Sequence, residues 1–219
     1  MYGSSTTKKL FEYTLMCAKE SGFTNNIYFS SNPLKRYFVR TNLIKIISSV
    51  QRLTNKNDVL DFGPGFGMLL PALSKIFTRT VALDVDKNQL TSAAKIIKNF
   101  SIPNVKLVYR SLEVEFDDFD DESFDCIVVD NVLEHISYHD EILQNFHRIL
   151  RMNGLLVISL PTENVLYRLL ENKNDGHVLR SSKEIHSLLG RISKDFIGMG
   201  SLNTPPIYLI QLFSKSAEV

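Results

Sequence analysis

The sequence predicts an α/β fold built on a mostly parallel sheet that closes with an antiparallel hairpin. Three observations predict it. From residue 58 onward, short apolar runs alternate with helical patterns, which implies right-handed crossovers between parallel strands. The first run ends in a glycine-rich turn, Gly63-Pro64-Gly65-Phe66-Gly67. The last two runs have only about seven residues between them, too few for a crossover helix, so they pair antiparallel.

The elements follow in order. Leu10, Phe11, Leu15 and Met16, set among Lys and Glu, predict an amphipathic helix over 6–20, stopped near Gly22. Ser31-Asn32-Pro33 is a helix start, and the helix it opens runs from Leu34 to Leu53. Strands are expected at 59–62, 81–84, 105–108, 124–129 and 155–160. Helices between them cover 68–77, 87–100 with Asp86 as cap, and 139–151 closed by Asn153-Gly154. Ser181-Ser182-Lys183-Glu184 is a capping box for a helix to Leu189. Two weaker strands, 196–199 and 207–213, flank Pro205-Pro206.

The 219 residues are 44% hydrophobic and 22% charged, too apolar for a disordered chain and suited to one domain, 1–219. Within it, 1–56 is a helical cap and 57–219 the core. No apolar run approaches the roughly 18–20 residues of a membrane helix, so no membrane partner is expected. Met1 to Leu10 is polar, unlike a signal peptide. Cys17 and Cys126 lie far apart, which excludes a disulfide framework or cysteine-rich zinc site and predicts a reduced, cytoplasmic protein.

The net charge of +1 hides an asymmetry: residues 1–57 carry nine Lys/Arg and two Asp/Glu. Lys35, Arg36 and Arg40, interleaved with Tyr37 and Phe38, suit either an anionic partner or a solvated helix face. Glu113 to Asp125 holds eight carboxylates in thirteen residues, without an interleaved histidine. A surface loop is expected there, and no metal site anywhere.

The chemistry centres on the turn after the first strand. Its glycines permit a sharp bend and a close approach of backbone to ligand, and the following helix start offers N–H groups to an anionic group. Asp84 ends the second strand, 21 residues after Gly63, the spacing that sets a carboxylate beside the ribose of a bound nucleoside. A dinucleotide fingerprint has its third glycine one residue later, where Met68 stands, which counts against NAD.

With these motifs in place, the chain from Val59 onward resembles the class I S-adenosylmethionine-dependent methyltransferases, closest to the small-molecule branch that includes quinone-biosynthesis enzymes (type 11). Asp61 to Gly67 is similar to the first motif of that family and Leu83-Asp84-Val85-Asp86 to the second. Ser123 to Val128, followed by Asn131-Val132-Leu133-Glu134-His135-Ile136, resembles its fourth-strand motif. Arg148 to Ile158 resembles the approach to strand five, and Gly176-His177-Val178 a later segment of the same branch. The resemblance implies a Rossmann-like, doubly wound, seven-stranded sheet. It implies S-adenosyl-L-methionine as methyl donor, S-adenosyl-L-homocysteine as product, and a small-molecule acceptor. It places Asp61, Gly63, Gly65, Gly67, Asp84, Val85 and Asn131 at the cofactor.

Two positions depart from the family pattern. No aspartate follows the third strand. Ser111 or Glu113 is left to accept the adenine amine and the Leu112 amide to meet the ring. Pro64, where many members have Cys or Ser, removes one donor from the turn, and the neighbouring glycines are expected to supply N–H groups. For an acceptor that needs a base, His135 is the first candidate and His177 the second, with His139 left to cap or face solvent. By the same resemblance, Tyr37 and Arg40 belong to a lid over the cofactor. RNA methylation through the basic segment, or a non-catalytic binding partner, are the alternatives. The chain has no separate RNA-binding module, so nucleic acid is not expected as a partner.

Overall fold

The computed structural model describes residues 5–110, 116, 119–136, 139–161, 187, 190, 196–204 and 208–216. The chain forms two compact units, Met1–Leu112 and Glu113–Val219.

The first unit opens with helix α1 (Ser5–Glu20), a 3-10 turn (Ile27–Phe29) and α2 (Pro33–Val50). Asn32 caps α2, its side chain accepting from the amides of Leu34 at 3.0 Å and Lys35 at 3.2 Å, while Pro33 occupies the first turn, where no N–H is required. The helix stops at Val50, short of the expected Leu53. Leu43, Ile46, Ile47 and Val50 of α2 are fully buried. Each such side chain contributes roughly 1.5–3 kcal/mol of burial free energy.

Three parallel strands follow, β1 (Asp58–Phe62), β2 (Arg79–Asp84) and β3 (Val105–Tyr109), in the order β3-β2-β1. The crossovers are α3 (Leu70–Ile76) and α4 (Lys87–Asn99). Asp86 caps α4 as expected, accepting from the Asn88 amide at 2.7 Å. On α4, Leu90, Ala93 and Ile96 recur at helical spacing and are buried. Ala93 packs with Leu70 and Ala82, flanked by Ile97, Val105 and Leu107.

The second unit holds β4 (Phe124–Asp130), a 3-10 turn (Leu133–His135), α5 (His139–Ile149), β5 (Leu150–Pro161), β6 (Phe196–Thr204) and β7 (Tyr208–Lys215). β4 and β5 are parallel, and β5, β7 and β6 are successive antiparallel neighbours. The fold is therefore α/β with parallel strands and an antiparallel C-terminal hairpin. The capping box at 181–184 lies outside the described residues. Ser187 and Gly190 near its C-terminal end are helical.

Strand β5 begins five residues before the expected Leu155. Phe124 pairs with Leu150 and Cys126 with Leu155, so the intervening residues form a bulge. Asn153, at φ +62°, lies in this bulge instead of closing the helix. The Leu150 carbonyl accepts from Lys215 Nζ at 2.9 Å, a bond between residues 65 apart that fixes the early strand.

The acidic stretch is more than a solvated loop. Arg148 donates to the carbonyls of Phe119 at 2.9 Å and Phe116 at 3.0 Å and pairs with Asp121 at 2.6 Å. Arg151 meets Asp125 at 3.0 Å, and buried Lys215 meets Glu122 at 3.2 Å. Three cations from α5, β5 and β7 hold that stretch against the unit. Among the described residues no helix is long and apolar enough to cross a membrane.

Candidate functional site

The first unit carries the glycine turn at the carboxyl end of β1. Gly63, Gly65 and Gly67 take φ of +73°, +54° and +90°, conformations that strain residues with a Cβ. Gly67 has a second constraint. A Cβ there would stand 2.9 Å from Ala93 Cβ and 3.1 Å from Ala93 Cα. It therefore lets α4 approach the turn, the role of the third glycine in a nucleotide-binding turn, one residue early. A Cβ on Gly65 would meet nothing within 4 Å, so this side of the turn is open to a ligand.

The amides of the turn are spent differently from expectation. Gly63 donates to the Leu83 carbonyl at 2.8 Å and Gly67 to the Pro64 carbonyl at 3.0 Å. Gly65 donates to Asp84 Oδ2 at 3.1 Å. Pro64 has no donor. The glycines thus use their N–H groups to hold the turn itself, correcting the expectation that they supply them to a ligand. The amide of Phe66 meets no acceptor among the described residues. The Phe66 ring is held by Phe23 and Tyr28, with centroids 5.5 and 6.2 Å away.

Asp84 is buried at the end of β2. Besides the Gly65 bond, its Oδ1 accepts from the Asp86 amide at 2.9 Å. A carboxylate has about four acceptor positions, so each oxygen keeps one for a further donor. Next to it, Val85 is 42% exposed, an apolar side chain left in reach of a flat ligand. Lys87 stands 4.5 Å from the exposed Tyr109 ring. Asp61 is buried on β1. An open turn, a free main-chain donor, a carboxylate with spare lone pairs and an exposed apolar side chain make a donor set that fits an adenosine carrying an amino-acid tail.

Arg40 donates to the Tyr28 carbonyl at 3.0 Å, and its guanidinium lies 5.8 Å from the Phe29 ring centroid. Burial, then the neighbouring Arg36, lowers its pKa. Arg40 ties α2 to the connector that presents Tyr28 to Phe66. Tyr37 is exposed.

The second unit carries Asn131 and His135. Asn131 takes φ +53°, a left-handed position Asn tolerates, directly after β4. Its amide donates to the Ser159 carbonyl at 3.0 Å and its Nδ2 to Asp130 Oδ1 at 2.9 Å. His135 is exposed at the end of the 3-10 turn. Its neighbour Glu134 is 2% exposed, and its Oε2 meets no donor among the described residues. Burial pushes this carboxyl up to about 8, its own backbone N–H pulls it down and Asp130 pushes it up again. The residue reasoning from sequence overlooked is thus Glu134, for which the only signal was adjacency to His135 within the same motif. Ser111, Leu112, Glu113 and His177 lie outside the described residues.

Comparison with known proteins places this arrangement. Residues 60–158 match the family described as methyltransferase domain. The chain is 30% identical over 118 residues to the ubiquinone/menaquinone biosynthesis C-methyltransferase of Blochmanniella floridana, covering 51% of this chain and 46% of that one. It is 32% identical over 136 residues to the mitochondrial ubiquinone biosynthesis O-methyltransferase of Homo sapiens, covering 59% of this chain and 36% of that one. The chain thus spans less than half the length of either relative. The fold is shared with a SAM-dependent methyltransferase from Aquifex aeolicus, at a TM-score of 0.65, 16% identity, and coverage of 92% of this chain and 98% of that one. The family match runs over the same stretch that holds the glycine turn and Asp84, and over that stretch the chain is similar to methyltransferase domains.

Proposed function

We propose that the chain is an S-adenosylmethionine-dependent methyltransferase acting on a small-molecule acceptor. The observation that carries this is Asp84, buried beneath an open glycine turn with one lone pair left on each oxygen. When bound, the cofactor supplies a methyl group on a positively charged sulfur, activated toward displacement. Asp84 receives the ribose hydroxyls, Val85 lies against the adenine, and the Phe66 amide donates to the amino-acid tail. Asp61 and the three glycines shape the turn. Ser111, Leu112 and Asn131 complete the cofactor contacts. The protein's share of the chemistry is alignment in line with the sulfur and exclusion of water. His135, exposed to solvent, takes the acceptor's proton where one must leave, with His177 as the second candidate.

A small acceptor fits the two curated relatives, whose names place them in quinone biosynthesis. A cytoplasmic location fits two buried cysteines in the reduced state. The test is calorimetric titration with S-adenosylmethionine, S-adenosylhomocysteine and NAD. Micromolar binding of the first two and none of NAD is expected. Binding of NAD alone would overturn the proposal.

A further inference from the structure

We propose that Asp84 is a positioning residue for the glycine turn, in addition to any contact with ribose, and sets the turn in its ligand-ready shape before a ligand arrives. This rests on the donor reading given above. The two carboxylate oxygens accept from two different segments: Oδ2 from the Gly65 amide at 3.1 Å and Oδ1 from the Asp86 amide at 2.9 Å. One side chain therefore joins the turn after β1 to the turn after β2. The main chain continues the same seam. The Gly63 amide donates to the Leu83 carbonyl at 2.8 Å and the Arg110 amide to the Asp84 carbonyl at 3.1 Å.

The clasp matters because packing leaves Gly65 unrestrained. It sits at φ +54° with open space where a Cβ would be, so no side-chain packing restrains it. A glycine with no such restraint has the widest choice of backbone conformations. Pro64 stiffens the residue before it but contributes no N–H. The bond to Asp84 is the contact that selects one conformation for Gly65, and Phe66, whose amide has no acceptor among the described residues, follows it directly. Fixing Gly65 therefore aims the Phe66 amide. Asparagine at 84 cannot do the same work. It has one acceptor oxygen, and its NH2 group would face the other main-chain donor. A ribose-binding role alone makes no such demand in the absence of ligand.

The experiment separates the two roles. Amide exchange is followed by NMR in the ligand-free protein for wild type, Asp84→Ala and Asp84→Asn, with thermal melting to show that each variant is folded. In Asp84→Ala, the Gly65 and Asp86 amides should exchange about tenfold faster or more, the scale of a lost charge-assisted bond, while Gly63, bonded to a carbonyl, keeps its protection. In Asp84→Asn, one of Gly65 and Asp86 should lose protection and the other keep it, and this variant carries the test if alanine does not fold. Unchanged exchange at both amides in either folded variant overturns the proposal.

Affinities for S-adenosylhomocysteine and its 2′,3′-dideoxy analogue are then compared. The analogue has no ribose hydroxyls for Asp84 to hold. If the carboxylate only grips ribose, wild type and Asp84→Ala bind the analogue equally, and the proposal fails. If it also sets the turn, the variant binds the analogue about tenfold more weakly. Failure of wild type to bind S-adenosylhomocysteine would sink the donor reading instead, and the exchange data would still decide the clasp.

Discussion

Glu134→Gln should strongly change the pH dependence of stability. The wild-type carboxyl is raised from an ordinary 4.5 to about 8, first by burial. Between those two values the folded protein holds a proton that the unfolded chain has released, so stability falls as pH rises. The contribution of the neutral carboxyl is complete below about 4.5 and lost by about 8, where both states are ionised. Each pH unit in that window is worth about 1.4 kcal/mol, so the whole loss is on the order of 5 kcal/mol. Glutamine keeps the shape and stays neutral at every pH. The assay is urea unfolding of wild type and variant at pH 5, 6.5, 8 and 9, using the difference so that all other titrating groups cancel. Glutamine should be close to wild type at pH 5 and more stable than it by several kcal/mol at pH 9. A difference independent of pH would refute the burial of this carboxyl with its Oε2 lacking a donor among the described residues.

Three further outcomes are expected. Gly67→Ala should cost about 2–4 kcal/mol of stability, because its Cβ meets Ala93 at 2.9 Å in a left-handed conformation, whereas Gly65→Ala should cost about 1 kcal/mol and instead weaken nucleoside binding; melting and calorimetry on both variants check this. Phe66→Ala should remove the aromatic contacts to Phe23 and Tyr28, costing about 1–2 kcal/mol and exposing the 23–28 connector to limited proteolysis at a rate well above wild type. Lys215→Ala should destabilise by about 1–3 kcal/mol, since the Leu150 carbonyl loses its donor, and denaturant unfolding measures it.

Much of the first unit was legible in the sequence because its determinants are local. Asn32-Pro33 and Asp86 mark helix starts by short-range capping, and both caps form. The glycine turn and Asp84 were readable from spacing alone. What the turn does with its amides was not, because the acceptors Leu83 and Asp84 lie about twenty residues away. The start of β5 was misjudged for the same reason: an apparent helix end at Asn153-Gly154 lies in a bulge held by partners at Phe124 and Lys215. Likewise, Glu134 and His135 are indistinguishable as neighbours in a motif, yet the 3-10 turn buries one and exposes the other.

The most direct test is an amide chemical-shift titration of the whole chain with S-adenosylhomocysteine. Saturable shifts concentrated at Gly63, Gly65, Phe66, Gly67, Asp84 and Val85 are expected. Saturation that leaves these six amides unmoved would contradict the assignment of the glycine turn and Asp84 as the donor site.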